Sequence, residues 1–195
     1  MIILASTSQT RRDLLTKAGL SFEAVSSGVD EDGAKRSLLA DGQSPRDIAD
    51  ALAELKAVRV SLKRSGLVFG VDQTLELDGE LFGKAATVED LADQLRVFRG
   101  RKHHLHSAAV AAEDGAPVWR VVSSASLTVR SFTEAWLSQY LSKCGEEVLS
   151  SVGGYHYESL GVQLFERVEG DVFTILGLPL LPMLGYLRER GLIAT

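Results

Sequence analysis

Two short apolar runs, residues 2–5 and 67–71, constrain the fold of this chain more than any other feature. Continuous apolar runs of this length are typical of strands that are buried on both faces of a sheet. The first run leads into three hydroxyl residues at positions 6–8, which favour the start of a helix predicted over residues 11–18. A Ser-Pro pair opens a second helix, predicted over residues 44–63, just before the other run. The sequence therefore predicts strand–helix units.

Hairpins are predicted in the remainder of the chain. The Asp78-Gly79 pair is a strong signal for a tight turn between two strands. Residues 103–112 and 118–129 flank another turn at residues 113–115, as in an antiparallel hairpin. Further helices are predicted over residues Val88–Phe98, 133–141 and 179–190, and further strands over residues 22–25 and 161–168. Strand–helix units mixed with hairpins indicate a mixed α/β (α+β) fold.

Length, charge and cysteine content limit the classes of function. A chain of 195 residues can bury one core without disulfides, and a single domain over residues 1–195 is predicted. The 21 basic and 26 acidic residues give a net charge of −5, so no nucleic-acid partner is expected. The single cysteine, Cys144, fits a reducing compartment, and a cytoplasmic location is predicted. No apolar run reaches the roughly 18 residues of a membrane span, and the first run is too short for a signal peptide, so no membrane partner is expected.

Common catalytic signatures are missing from the chain, which contains no HExxH, CxxC or GxSxG motif. Residues 79–85 are similar to a phosphate-binding P-loop, but the segment is one residue short and follows a hairpin turn, so we reject it. His104 and His106 are expected on one face of a strand with His103 on the other. We predict structural, hydrogen-bonded roles for these histidines.

The segment after the first apolar run is a candidate anion site. Free backbone N–H groups at a helix start favour an anion, and the Ser6 hydroxyl and the Arg11 guanidinium add donors. The alternative is a plain serine cap followed by two solvated arginines.

Four further charged residues are candidates for a site. Asp72 directly follows the second buried run, where α/β proteins place a base or a metal ligand, although it could also cap a turn. Lys56 lies on a helical stripe of small residues and can point into a cleft or reach solvent from the core edge. Glu31, in an acidic turn, and Asp72 could hold a Mg²⁺-type ion, and Lys84 supplies another cation.

Several separated motifs, in order along nearly the whole chain, are similar to those of one family. They are LASTSQTRRDLL, VDE at positions 29–31, Lys56-Ala57, GVDQTLELDGELFGKA and GDVFTILGLPLLPML. The chain thus resembles the Maf family of nucleoside triphosphate pyrophosphatases. The resemblance implies an elongated, bilobed fold related to the inosine triphosphate pyrophosphatases, with a mixed central sheet flanked by helices and a cleft between the lobes. It also implies a homodimer, and hydrolysis of a nucleoside triphosphate to the monophosphate and pyrophosphate with a divalent cation (Mg²⁺, Mn²⁺ or Co²⁺).

The resemblance also implies site residues. Asp72 matches the Asp usually taken as the family's catalytic base, and Glu31 matches the Glu of its VDE turn. The residues that match substrate-binding positions are Ser6, Arg11, Lys56, Lys84 and Glu158.

A branch of the family is indicated by the Asp72-Gln73 pair and Glu158. This combination resembles the branch associated with 7-methyl-GTP. The branch associated with dTTP and UTP has Asp-Thr where this chain has Asp72-Gln73, and Gln where it has Glu158. A carboxylate can accept hydrogen bonds from the N1–H and the exocyclic amine of guanine. The expected role is removal of non-standard nucleotides.

Three alternatives to a 7-methyl-GTP pyrophosphatase remain. The chain departs from the family pattern at Gln9, Thr10 and Ala85, which leaves room for a nucleotide-binding regulator of cell division without turnover. A dTTP- or UTP-type pyrophosphatase is the second alternative. A metal-dependent phosphatase that removes the terminal phosphate is the third.

Overall fold

One mixed sheet organises the molecule. The computed structural model describes residues 1–194, and within them the sheet has seven strands. The strands are Ile2–Ala5 (β1), Phe22–Ala24 (β2), Leu67–Leu77 (β3), Glu80–Phe82 (β4), Lys102–Glu113 (β5), Ala116–Val129 (β6) and Phe165–Glu169 (β7).

The strand order leaves a gap at one edge of β3. The order is β2-β1-β3-β5-β6-β7, with β4 paired to β3 as well. Strand β1 runs parallel to β3 and its pairing ends at Gly70, whereas β4 runs antiparallel and its pairing begins at Leu75. Between these residues no strand of residues 1–194 pairs with this edge of β3, while β5 pairs with its other edge. Backbone groups at residues 71–74 can therefore face a ligand or another side chain.

Helices flank the sheet, and side-chain caps begin most of them. They are Gln9–Lys17 (α1), Glu31–Ala40 (α2), Pro45–Ser61 (α3), Val88–Phe98 (α4), Glu134–Cys144 (α5), Val172–Ile175 (α6) and Leu180–Glu189 (α7), with 3₁₀ turns at Gly145–Ser150 and Leu160–Leu164. The hydroxyls of Ser8, Ser44 and Thr87 accept hydrogen bonds from the first turns of their helices, as N-caps do.

Two apolar cores form on the same face of the sheet. Phe69 and Val71 of β3 belong to a cluster that includes residues of α1 and α7. Leu75 and Leu77, farther along the same strand, belong to a cluster that includes residues of α4 and α5. Alternate residues of a strand share a face, so both clusters lie on one side of β3. The stretch of β3 between them is where its edge is unpaired.

Helix α3 packs unusually close to the opposite face. Ala49, Ala53 and Ala57 contact small residues of β5. A Cβ atom at Gly70 would overlap the carbonyl oxygen of Ala53, so only glycine permits this separation. The close approach brings polar side chains of α3 within reach of β3.

Most predicted elements are confirmed, and the mixed α/β class is correct. Helix α2 was missed because residues 29–33 were interpreted as a turn, whereas Asp30 caps a helix there. The strand predicted over residues 67–71 continues to residue 77 because pairing with β5 and β4 extends it. Residues 161–168 were predicted as one strand but form part of a 3₁₀ turn followed by β7. Across residues 1–194, no helix is long and apolar enough to cross a membrane.

The buried histidine of β5 occupies an apolar site. His103 is fully buried, its Nε2 lies 2.7 Å from the Tyr155 hydroxyl, and its Nδ1 has no hydrogen-bond partner within residues 1–194. Burial, assisted by the neighbouring His104, lowers the pKa of His103 from 6.5 to about 3. His104 and His106 lie on the opposite face and bond to Ser126 and Ser124. The predicted structural roles fit these contacts.

We expect His103 to make stability depend on pH. The folded chain keeps this imidazole neutral down to about pH 3, whereas the unfolded chain protonates it below about 6.5. The unfolded state binds more protons in this window, so the free energy of unfolding falls with falling pH by up to about 1.4 kcal/mol per unit. In His103→Gln this contribution is absent. Urea denaturation at several pH values from 7 to 4.5 should therefore show that the unsubstituted protein loses more stability than His103→Gln, so that the difference between their free energies of unfolding narrows. A constant difference would contradict the assignment.

Candidate active site

A polar cleft of about 620 Å³ opens at the unpaired edge of β3. Its walls come from the segments after β1 and β2, from α2 and α3, and from residues 150–158 and 175–177. The cleft brings together every residue that the sequence placed in the site, namely Ser6, Arg11, Glu31, Lys56, Asp72, Lys84 and Glu158.

A buried ammonium group joins two carboxylates in this cleft. The Nζ of Lys56 lies 2.7 Å from Oδ1 of Asp72 and 2.9 Å from Oε2 of Glu31. Lys56 and Asp72 are both 4% exposed. Buried charges are stable only when they are paired and hydrogen-bonded, so this contact fixes α3 against β3. Of the two interpretations of Lys56, the structure supports the one that points it into a cleft.

Asp72 presents one unused oxygen. Its Oδ1 binds Lys56, whereas its Oδ2 is buried with no hydrogen-bond partner within the described part of the chain. A buried acceptor without a partner is costly, which favours a ligand proton or a cation at this atom. Asp72 lies within β3, two residues after Gly70, the last residue that pairs with parallel β1. Asp72 was expected directly after the end of a central strand, and this expectation is wrong because β3 continues past it to Leu77.

The pKa of Glu31 is lowered by the cations around it. Its carboxyl group is half-buried, and this burial alone would raise its pKa. The Lys56 ammonium, assisted by Lys35 and Arg11, outweighs burial and lowers the pKa of Glu31 below its ordinary value. Glu31 thus keeps its negative charge beside Lys56 at neutral pH.

Arg11 is held mainly by backbone carbonyls. Its Nε donates to the carbonyl of Gly177 at 2.8 Å, and one terminal nitrogen donates to the carbonyl of Val71 at 3.1 Å and to the Ser6 hydroxyl at 3.2 Å. The Val71 carbonyl is available because the edge of β3 is unpaired there. Burial lowers the pKa of Arg11, and the nearby Asp72 and Glu31 oppose this shift. Three protein acceptors hold the guanidinium, and its other terminal nitrogen has no partner within residues 1–194.

Ser6 keeps a free donor. Its Oγ accepts from the backbone N–H of Ser8 and from Arg11. A hydroxyl has one hydrogen in addition to its acceptor sites, so the Ser6 O–H can still donate to a ligand.

Lys84 and Glu158 occupy exposed parts of the cleft wall. Neither side chain makes a hydrogen bond or ion pair with residues 1–194. Both are free to contact a ligand, and neither has its position fixed by a protein partner.

Sequence reasoning used Gln73 only as a branch marker and missed its structural role. The Nε2 of Gln73 lies about 3.0 Å from the carbonyl oxygens of Thr174 and Ile175, and 3.1 Å from the Ser107 hydroxyl. These contacts hold α6 against β3. Gly177 lies two residues after Ile175, and its carbonyl oxygen accepts a hydrogen bond from Arg11. Gln73 therefore positions Arg11 indirectly. The sequence carries no signal for it, because the partners are distant backbone atoms.

The carboxylates of the cleft offer oxygen ligands to a divalent cation. Within residues 1–194, no group of three or more His, Cys, Asp or Glu side chains is arranged to hold a metal ion. Asp72 and Glu31 instead fit an ion that takes one or two carboxylates and completes its shell with phosphate oxygens and water, as Mg²⁺ does. The unpartnered Oδ2 of Asp72 has two lone pairs, so it could contact such an ion and still accept a proton from water.

Comparison with known proteins gives full-length matches. A family model described as "Maf-like protein" matches residues 1–190. A protein of Caulobacter vibrioides named "Nucleoside triphosphate pyrophosphatase" is 56% identical over 194 residues, covering 100% of this chain and 98% of the relative. A protein of Rhizobium meliloti named "7-methyl-GTP pyrophosphatase" is 48% identical, covering 99% and 98%. A solved HAM1 protein from Coxiella burnetii aligns with a TM-score of 0.46 and 14% identity over 66% of this chain and 72% of its own, too low to support an argument.

Removing the Lys56 charge should destabilise the protein. In Lys56→Met, the buried Asp72 carboxylate loses its counter-ion, and breaking a buried pair in this way costs about 3 kcal/mol. Denaturation by urea at pH 7 measures the loss. The control is Lys63→Met, whose side chain is exposed and makes no ion pair within residues 1–194, and which should change stability by less than about 0.5 kcal/mol.

The double variant Lys56→Met/Asp72→Asn removes both charges and should recover at least half of the lost stability. Equal stabilities of Lys56→Met and Lys63→Met would show that the buried pair does not hold α3 in place.

Proposed function

Because this chain belongs to the Maf family, we propose that it is a nucleoside triphosphate pyrophosphatase with a preference for 7-methyl-GTP. The observation that carries the proposal is the Asp72 carboxylate, held at one oxygen by Lys56 and unpartnered at the other, at the floor of a polar cleft. The names of the relatives support the reaction, and Gln73 with Glu158 supports the base preference.

The triphosphate is bound by the polar wall of the cleft. The Ser6 hydroxyl and the free terminal nitrogen of Arg11 donate to phosphate oxygens, as charge-assisted hydrogen bonds. Lys84, exposed and unpaired among residues 1–194, can follow the phosphates because no protein contact holds it. These donors place the α-phosphorus beside Asp72.

Hydrolysis uses the free oxygen of Asp72. A water oxygen attacks the α-phosphorus, and the bond from this phosphorus to the oxygen that bridges to the β-phosphate breaks. Asp72 Oδ2 takes the proton of the water, and pyrophosphate leaves with the bridging oxygen. Lys56, on Oδ1, keeps the carboxylate in one orientation throughout. Cationic side chains beside the leaving group stabilise its developing negative charge.

A divalent cation, when bound by Asp72, Glu31 and the phosphates, supplies charge neutralisation and lowers the pKa of bound water. The chain contributes the two carboxylates and holds both of them beside the Lys56 ammonium.

The base lies toward Glu158. A carboxylate accepts from both N1–H and the exocyclic amine of guanine, and its negative charge favours the positively charged 7-methylguanine ring. Tyr157 precedes Glu158 and lines the same wall. Its ring offers a stacking surface, which matters because Thr10 has no aromatic group.

A panel assay tests the proposal. The purified chain is incubated with Mg²⁺ or Mn²⁺ and 7-methyl-GTP, GTP, dTTP, UTP or CTP, and pyrophosphate and orthophosphate are measured separately. We expect pyrophosphate, released fastest from 7-methyl-GTP. Orthophosphate alone would indicate a phosphatase, and tight binding without any product would indicate a regulator.

The base role of Asp72 predicts a selective loss of turnover. In Asp72→Asn, kcat should fall at least about 100-fold, because general-base catalysis contributes roughly that factor or more, while KM changes little. Steady-state pyrophosphate release measures both constants, and thermal unfolding confirms that the variant is folded. Asp32→Asn, exposed beside Glu31 and outside the cleft, is the control. Turnover within threefold of the original would remove Asp72 from this role.

The role of Glu158 predicts a change of base preference. In Glu158→Gln, kcat/KM for 7-methyl-GTP should fall about tenfold relative to UTP, since a hydrogen bond to a charged group is replaced by a neutral one. The ratio of the two kcat/KM values is the measurement. Glu166→Gln, exposed and outside the cleft, should leave the ratio unchanged. If Glu158→Gln and Glu166→Gln show the same ratio of kcat/KM for 7-methyl-GTP to kcat/KM for UTP, Glu158 does not set the base preference.

A further inference from the structure

Helix α2 brings a lysine into the cleft that the sequence did not single out. Lys35 lies one helical turn after Glu31, so the two residues share a face of α2. Its side chain is half-buried and lines the cleft, whereas the next residue, Arg36, is exposed and does not. We propose that Lys35 binds the β- and γ-phosphates of the substrate, an inference that rests on the proposed function.

Two other cations of the cleft, Lys56 and Arg11, are already bound to groups of the protein. Lys56 is shared by two carboxylates, Asp72 and Glu31, at 2.7 and 2.9 Å. Arg11 directs three of its hydrogen bonds to two carbonyls and a hydroxyl of the protein. Together these two cations and two carboxylates leave the floor of the cleft without net charge. A triphosphate carries several negative charges, so further cations must bind it.

Lys35 and Lys84 are the cations that remain. Neither makes an ion pair within 4.0 Å among residues 1–194. Lys84 is exposed, so water already solvates it. Lys35 is half-buried, and a partly desolvated ammonium without an anion gains more from a phosphate than a fully solvated one does. Its positive field reaches the site, since it contributes to lowering the pKa of Glu31.

The order of charges along the cleft determines which phosphates Lys35 meets. Asp72, Lys56 and Glu31 form a continuous row through their ion pairs, and Lys35 follows Glu31 by one turn of α2. A triphosphate with its α-phosphorus at Asp72 extends along this row, so its β- and γ-phosphates lie at the Lys35 end. These phosphates form the leaving pyrophosphate, and a cation there stabilises the charge that develops on it.

Three variants and two ligands test the assignment. Lys35→Gln removes the charge, Lys35→Arg retains it, and Arg36→Gln is the matched control on the adjacent residue. The measurements are kcat/KM for 7-methyl-GTP with Mg²⁺ and the calorimetric Kd values of inorganic pyrophosphate and of GMP. We expect Lys35→Gln to lower kcat/KM and weaken pyrophosphate binding about tenfold, as for loss of a charge-assisted hydrogen bond. Lys35→Arg should retain most of the original kcat/KM and most of the affinity for pyrophosphate. Arg36→Gln should change neither kcat/KM nor the pyrophosphate Kd by more than twofold.

GMP binding separates a phosphate contact from an indirect effect. GMP lacks the β- and γ-phosphates, so its Kd should be unchanged in Lys35→Gln. An equal weakening of GMP and pyrophosphate binding, or equal effects of Lys35→Gln and Arg36→Gln, would overturn the assignment, as would a protein that does not bind pyrophosphate at all.

Failure of the proposed function has a different signature. If the unsubstituted protein releases no pyrophosphate from any triphosphate, the reaction is wrong. Selective loss of pyrophosphate binding in Lys35→Gln would then still support a phosphate site at Lys35.

Discussion

The Lys56 ammonium between two carboxylates is the interaction on which the rest of the site depends. A lysine this deeply buried is stable only beside anions, so Asp72 and Glu31 must lie within ion-pair distance. That distance requires α3 to lie almost in contact with β3, which Gly70 permits. Electrostatics and close packing thus support each other, and the packing keeps the carboxylates where a substrate can reach them.

The gap in the edge of β3 converts this packed region into a cleft. Pairing with β1 ends at Gly70 and pairing with β4 begins at Leu75, so the intervening backbone is free on one side. Arg11 takes one of the exposed carbonyls. Side chains alternate along a strand, so Asp72 meets α3 on one face and Gln73 holds α6 on the other. One short stretch of backbone therefore organises both walls.

Local signals predicted much of the fold, and motifs predicted the candidate residues. Helix caps and the two hairpin turns were found because their signals lie within a few residues. Helix α2 was missed because an acidic, glycine-containing segment is also typical of a turn, and Lys35 was missed with it. The contacts of Gln73 escaped prediction because their acceptors are backbone carbonyls about 100 residues away. No local pattern encodes such a partner.

By itself, the sequence determined the class of fold, the family and the residue types at the site. Apolar runs, caps and turns act over short distances, so they can be recognised without the folded chain. Only the tertiary structure decided which charges neutralise one another. Lys56 proved to be shared by two carboxylates and Arg11 to be held by carbonyls, while Lys35 and Lys84 form no ion pair within residues 1–194. The reason is that pairing and desolvation depend on distances between segments remote in sequence, which folding alone sets.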